Sequence, residues 1–415
     1  MDGKLVVGVD LGSTNIKGVI GSRNENGKVS ILAVHTQVSS GVEKGMIVDV
    51  TALRECFYLF MRELLNKAGL LQVVVTKFYV FNSYRKMRSV TTDVEKVFEE
   101  KEVTQALLDE MQNESYENPT SNSYENLESV LQAYIVNNVA TLSPLGQTTT
   151  RLKARYTLIV GNEDGKNNLR RALLVGNKNV AENACTNFLS FASLGEVVLT
   201  KKERVTGTLL IDFGGETTTV AFYSQMSLRN LYIFDFGGCN ITRKLMEELS
   251  IPQKEAELLK VKCGVKPRQG VLSLMINGEK VVIDLQKVSE CINREVDSQL
   301  SEVEVFCRDN NIIAKCQKVV IVGGGAKCIG LSEKLETMFE KNVIGGYPIC
   351  LNENLSKLDK KTCQQYLDYS KLCAILNKED DNCIEELTDP TNKKPKGKGL
   401  NILDTAIKTI WGKTK

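Results

Sequence analysis

Three short runs hold the residues whose types and spacing could do chemistry. In Asp10-Leu11-Gly12-Ser13-Thr14-Asn15-Ile16-Lys17 a glycine turn separates two apolar, β-rich runs. Such a turn exposes consecutive backbone N–H groups to an anion, and glycine avoids the steric cost of the required dihedrals. Ser13 and Thr14 add hydroxyl donors with Asn15 beside them, Lys17 brings a cation to phosphate oxygens, and Asp10 can hold the water shell of Mg²⁺. Alone, the run reads equally as an ordinary hairpin turn. About 200 residues later, Asp212-Phe213-Gly214-Gly215-Glu216-Thr217-Thr218 repeats the Asp-x-Gly arrangement. Two facing hairpins can clamp a triphosphate and its metal from both sides. Third, Gly323-Gly324-Gly325-Ala326 follows the apolar run Val319 to Val322, where the backbone can approach a base or ribose closely. The expected ligand is ATP with Mg²⁺, the metal being held through water by Asp10 and Asp212.

The elements that must position these runs follow from periodicity. Residues 4–21 hold two strand candidates, residues 29–38 a third, and residues 51–68 an amphipathic helix on Leu53, Phe57, Phe60, Met61, Leu64 and Leu65 that ends at Gly69. No glycine then occurs until Gly146, and residues 93–128 carry eleven acidic but two basic residues, which marks a separate unit. Within it Ser115-Tyr116-Glu117-Asn118 recurs as Ser123-Tyr124-Glu125-Asn126, a polar loop given no chemistry. A strand at 156–160, a helix from about residue 168 and a polar stretch at 200–206 lead to the second hairpin, 208–223. Two hairpins of one kind imply a duplicated core. Residues 243–315 read as helical and charge-rich, 318–322 as a return to the sheet, and 362–377 as a helix.

Composition narrows the function classes. The chain has 415 residues, 42% hydrophobic and 25% charged, enough for about two to four domains. A net charge of +2 gives no global field for nucleic acid. Twelve cysteines without a C-x-x-C pair argue against zinc and fit reduced thiols in a cytoplasm. The one histidine, His35, lies in a strand-like run and reads as structural, which excludes His-dependent triads. No run of about 18 apolar residues could span a bilayer.

In their order along the chain, the three runs resemble the nucleotide signature of the actin, sugar-kinase and heat-shock ATPase superfamily. The surrounding pieces resemble FtsA, the bacterial cell-division actin homologue. They are the opening VGVDLGSTNIKGVIG, Pro144-Leu145-Gly146 with Arg151-Leu152, the second hairpin LLIDFGGETTTVAFY, and IVGGGAKCIGL. This resemblance implies an α/β actin-like fold of two related ribonuclease-H-like halves with the nucleotide cleft between them and a small α+β insert in the first half. The domains would be a first-half core at 1–83 with 162–204 and about 355–385, and the insert at 84–161. The second half would have its core at 205–237 with 316–354 and a small domain at 238–315. A linker at 386–398 and an amphipathic helix at 399–415 would follow. The family places Glu257 and Lys260 near ribose and base, although by themselves they read as surface helix charges. It also implies the C-terminal peptide of FtsZ as partner, with Arg294 as a contact, besides self-assembly into filaments and other divisome proteins, at the cytoplasmic face of the membrane.

Two departures bear on catalysis. Glu216 stands where a small residue often follows the double glycine, and its carboxylate would oppose phosphate. Arg243 and Lys244 follow Thr242, where an acid is often found, and Thr219 also replaces one. Weak or absent ATP hydrolysis is expected. At the C-terminus Leu400, Leu403, Ile407, Ile410 and Trp411 share one helical face, and Lys408 lies with Lys413, Lys415 and four linker lysines on the polar side. That pattern suits an anionic inner-membrane surface, with docking on the chain's own core as the competing reading. The alternatives overall are another actin-superfamily scaffold of the pilus-assembly type and a small-molecule kinase, for which no base aspartate stands out.

Overall fold

The structure is a computed structural model and describes residues 4–23, 29–83, 85–117, 124–161, 163–174, 180–189, 191–349, 360–378 and 382–386. The first half opens as an antiparallel meander of β1 (Val6–Leu11), β2 (Asn15–Arg23) and β3 (Val29–Val38). A small hairpin, β4 (Val42–Glu43) and β5 (Met46–Ile47), leads to helix α1 (Val50–Lys67). Asp49 caps α1 by accepting the N–H groups of Thr51 and Ala52, and the predicted apolar stripe is buried. The strand β6 (Val73–Asn82) then joins β1 in parallel.

An insert follows, made of β7 (Arg88–Glu102), α2 (Gln105–Glu117), β8 (Glu125–Val136), β9 (Val139–Thr141) and β10 (Thr148–Gly161). Helix α3 (Glu163–Leu174) and β11 (Val180–Leu189) return to the first sheet, whose order is β11-β6-β1-β2-β3. The second half, after α4 (Phe191–Val198) and α5 (Lys201–Thr206), repeats the plan. Its meander is β12 (Thr208–Phe213), β13 (Thr218–Ser224) and β14 (Ser227–Phe234). Its helices are α6 (Gly238–Leu249), α7 (Gln253–Cys263), α8 (Leu285–Asp309) and α9 (Ile312–Lys315), with a hairpin of β15 (Val271–Ile276) and β16 (Glu279–Asp284) between α7 and α8. Next come β17 (Lys318–Val322), α10 (Leu331–Phe339), β18 (Asn342–Gly345), α11 (Lys360–Lys378) and β19 (Ile384–Glu386), the last pairing back onto β6. The order β18-β17-β12-β13-β14 is that of the first sheet, with the same antiparallel and parallel pairs. The duplication is therefore one of topology as well as motif.

Three readings change. Residues 271–284, read as helical, form the β15–β16 hairpin, in which half-buried Leu272, Leu274 and Ile276 alternate with exposed neighbours along β15. The polar stretch 200–206 contains the short helix α5, started by a capping box between Thr200 and Glu203. The insert has its own small core around Leu107, Met111 and Leu152, but its sheet is not separate. Arg88 of β7 pairs with Tyr232 of β14, which joins insert and second half into one nine-stranded sheet. Side chains seal this joint: Thr157 Oγ1 donates to the carbonyl of Leu228 (2.7 Å) and Ser227 Oγ to that of Leu131 (2.7 Å).

The first sheet is covered on both faces, which is why β1 is buried along its whole length. Helix α1 packs on one face, where Gly18 makes room for Phe60 and Leu64. Helix α11 packs on the other, seated in a notch at Gly8 and Gly21. A Cβ at Gly8 would lie 2.8 Å from Ile375, and one at Gly21 2.9 Å from Leu376. That seat brings the middle of α11 to the end of β1, where Asp10 lies.

Candidate functional site

The turns after β1 and β12 face each other across a cavity of about 930 Å³. Asp10, Gly12, Ser13, Thr14, Asn15 and Lys17 line it from the first half. Asp212, Gly214, Gly215, Glu216 and Thr217 line it from the second. Gly323, Gly324 and Gly325 form its floor beside Glu257 and Lys260, while Ala326 is buried in the second-half core. The tips of the two turns meet. Thr14 Oγ1 lies 3.6 Å from Sγ of Cys239 on α6, and a Cβ at Gly215 would stand 1.9 Å from Thr14 Oγ1, so a side chain there would displace Thr14. Among the described residues, no hydrogen bond occupies the backbone N–H groups of Ser13, Thr14, Gly215 or Glu216 at these tips. Such a set of N–H groups is what a polyphosphate requires.

Some candidate side chains already have partners. Ser13 Oγ accepts the N–H of Gly45 (2.7 Å), and its own proton can still donate. The Glu216 carboxylate accepts the N–H of Lys44 (2.7 Å), and Lys44 Nζ pairs with Asp235 (3.1 Å). The tip of the β4–β5 hairpin thus ties the first-half turn to the second-half turn, a staple that the sequence did not reveal. It engages Glu216 on the first half, so the carboxylate has a role besides repelling phosphate. Lys260 Nζ donates to the Gly238 carbonyl (3.0 Å) and to Thr242 Oγ1 (2.9 Å), and pairs with Glu257 (2.7 Å). Thr242 Oγ1 also lies 2.7 Å from Glu257 Oε2, so Glu257 and Lys260 form one cluster at the cleft wall. Arg294 lies outside the cleft, exposed on α8 and paired with Glu248 (2.6 Å). Leu400, Leu403, Ile407, Lys408, Ile410 and Trp411 lie outside the described residues.

Between Asp10 and Asp212 stands a residue that the sequence reading passed over. Lys371, from the middle of α11, places Nζ 2.7 Å from Asp212 Oδ2 and 3.6 Å from Asp10 Oδ1. The rings of Phe81 and Phe191 lie 5.3 and 5.9 Å from the same nitrogen. Burial by itself lowers a lysine pKa, but Asp10 and then Asp212 outweigh it and hold the ammonium charged, well above its ordinary value. The expected Mg²⁺ does not fit between these carboxylates as they stand. The space is taken by a cation, and two aromatic faces close a side where hydrated Mg²⁺ would need oxygen ligands. A signal was present in the sequence: Lys371 interrupts the apolar set Leu367, Leu372, Ala374, Ile375 and Leu376, and a lysine among buried neighbours requires an anionic partner.

Two halves of one strand order, closing on a glycine-lined cleft, define an actin-like fold. The solved PilM–PilN type IV pilus biogenesis complex shares the fold, with a TM-score of 0.60 at 13% identity over 90% of this chain and 97% of that one. Residues 209–362 match the family model of cell division protein FtsA. FtsA of Neisseria meningitidis is 24% identical over 357 residues, covering 82% of this chain and 83% of its own. FtsA of Escherichia coli is 24% identical over 402 residues, covering 91% and 90%. The chain has an actin-like fold and is similar to the FtsA division proteins over most of its length. Among the described residues, no helix is long and apolar enough to cross a membrane.

Proposed function

We propose that this chain binds ATP between the turns after β1 and β12, assembles head to tail with copies of itself, and holds FtsZ filaments at the membrane. The observation that carries this reading is the pair of opposed turns whose tip N–H groups line one cavity of about 930 Å³. Gly323 to Gly325 and the Glu257–Lys260 cluster form the wall suited to ribose and base. Lys17 meets phosphate oxygens. Nucleotide bridges the two halves and so selects the arrangement in which subunits add. Hydrolysis is weak or absent, and the nucleotide acts as an assembly switch. The partner is the C-terminal peptide of FtsZ, received by the small domain of the second half with Arg294 among its contacts, and other divisome proteins bind the same polymer. The apolar and basic sequence pattern of residues 399–415, outside the described residues, would suit anionic lipid at the cytoplasmic face of the membrane. One such segment binds modestly, and an array on a filament binds through avidity.

Co-sedimentation with anionic liposomes and purified FtsZ, with and without ATP, tests this reading. The full chain should pellet with both, and a chain ending at Lys396 should lose liposomes. Unchanged liposome binding by the truncated chain rules out the tether. Wild-type binding of a labelled ATP analogue by both Asp212→Ala and Gly12→Asp rules out the clamp.

A further inference from the structure

Metal-dependent phosphate sites place a divalent ion where carboxylates converge beside the phosphate-binding turn. In this chain the two carboxylates that converge, Asp10 and Asp212, are 6% and 4% exposed. They share one ammonium, contributed by a helix nearly at the other end of the described chain. Both oxygens of Asp212 are confined. Oδ2 pairs with Lys371, and Gly323 passes so near that a Cβ there would lie 2.3 Å from Oδ1. The surroundings of the lysine suit an ammonium. Phe81 and Phe191 offer π faces, which attract a cation and offer no oxygen for the rigid octahedral shell of magnesium. Lys371 is held in place from below by the seating of Ile375 on Gly8 and of Leu376 on Gly21, so the cation belongs to the architecture of the first sheet.

We propose that Lys371 is a built-in counter-cation that replaces the divalent metal of this cleft, so that a nucleoside polyphosphate binds here without Mg²⁺. The inference rests on the cleft being a nucleotide site. Lys371 neutralises part of the carboxylate charge at the end of the cleft where the phosphates would lie, and Lys17, Arg243 and Lys327 add positive charge to the same lining. Binding energy that relatives of this architecture would draw from an exchangeable ion is supplied by the chain itself. The nucleotide would stay bound when magnesium is removed, and the switch would answer to nucleotide alone.

The test is titration of the full chain with N-methylanthraniloyl-ATP in excess magnesium chloride and in excess EDTA, read by fluorescence. The wild type should give dissociation constants within about threefold of each other in the two buffers. Lys371→Met keeps the length of the side chain and removes its charge. It should bind at least about tenfold more weakly than the wild type in EDTA. A wild type that weakens about tenfold or more in EDTA overturns the proposal and leaves the nucleotide reading intact. A Lys371→Met protein that binds as tightly as the wild type in EDTA also overturns it. A wild type that binds in neither buffer overturns the nucleotide reading, and this inference with it. The two wild-type titrations decide the matter even if the variant fails to fold, which its circular dichroism would reveal.

Discussion

The staple between the two glycine turns makes a prediction that can be worked from its geometry. Replacing Glu216 by alanine deletes the carboxylate that receives the Lys44 N–H, a 2.7 Å hydrogen bond that crosses from one half to the other. Hydrogen bonds to charged acceptors contribute about 1.5–3 kcal/mol, and partial exposure at this site puts the value near the lower end. A loss of about 1.4 kcal/mol is a factor of ten in an equilibrium constant, so local opening of the β4–β5 tip should become about tenfold more frequent. The Lys44–Asp235 pair, whose side chains are 37% and 51% exposed, cannot compensate. Hydrogen–deuterium exchange followed by mass spectrometry on peptides spanning residues 41–48 reads this directly. Glu216→Ala should raise exchange of the Lys44 amide about tenfold, and Glu216→Gln, which keeps an oxygen acceptor without the charge, should raise it only a few-fold. The reasoning fails if Glu216→Ala exchanges like wild type, or if Glu216→Gln is as damaging as alanine.

Further outcomes follow from the packing and charge of other elements. Ile375 is fully buried against the Gly8 notch, so Ile375→Ala should lower unfolding free energy by about 2–5 kcal/mol in denaturant melts, and Ile375→Val by about 0.5–1.5 kcal/mol. Because the same turns of α11 carry Lys371, Ile375→Ala should also weaken nucleotide binding in EDTA. In the insert, hydrogen bonds from Arg155, then Lys153, hold the Asp93 carboxyl down to about 2, from an ordinary value of 3.8. A carboxyl depressed in the folded state adds stability that is fully present above about pH 4 and is lost as pH falls toward 2. Acid unfolding should therefore separate wild type from Asp93→Asn above pH 4, with the difference shrinking as pH approaches 2.

Much of the fold could be read from local pattern. The helix at 51–68, the opening meander and the second hairpin depend on periodicities and turn residues that are properties of neighbouring positions, and they appear in place. The β15–β16 hairpin was lost because it lies inside a charge-rich segment read as helical, and its strands are six residues long with Val271 and Met275 as apolar as the residues that face inward. The joint between insert and second half had no local signal, since an edge pairing such as Arg88 with Tyr232 depends on where two distant strands end up.

The candidate cleft divides in the same way. The glycine turns with Asp10 and Asp212 are short contiguous runs, so the sequence by itself determined that two glycine turns of one kind exist and that they are related by duplication. What occupies the space between their carboxylates was decided by tertiary structure alone. Lys371 reaches Asp212 because Gly8 and Gly21 on one sheet admit Ile375 and Leu376 of a helix far along the chain. The Lys44–Glu216 staple likewise exists only because two halves close on each other. Both are contacts between residues widely separated in sequence, made specific by close packing and by the cost of leaving a buried charge unpaired; the staple leaves no local pattern, and Lys371 shows only as a lysine among apolar neighbours, which calls for an anionic partner without naming it.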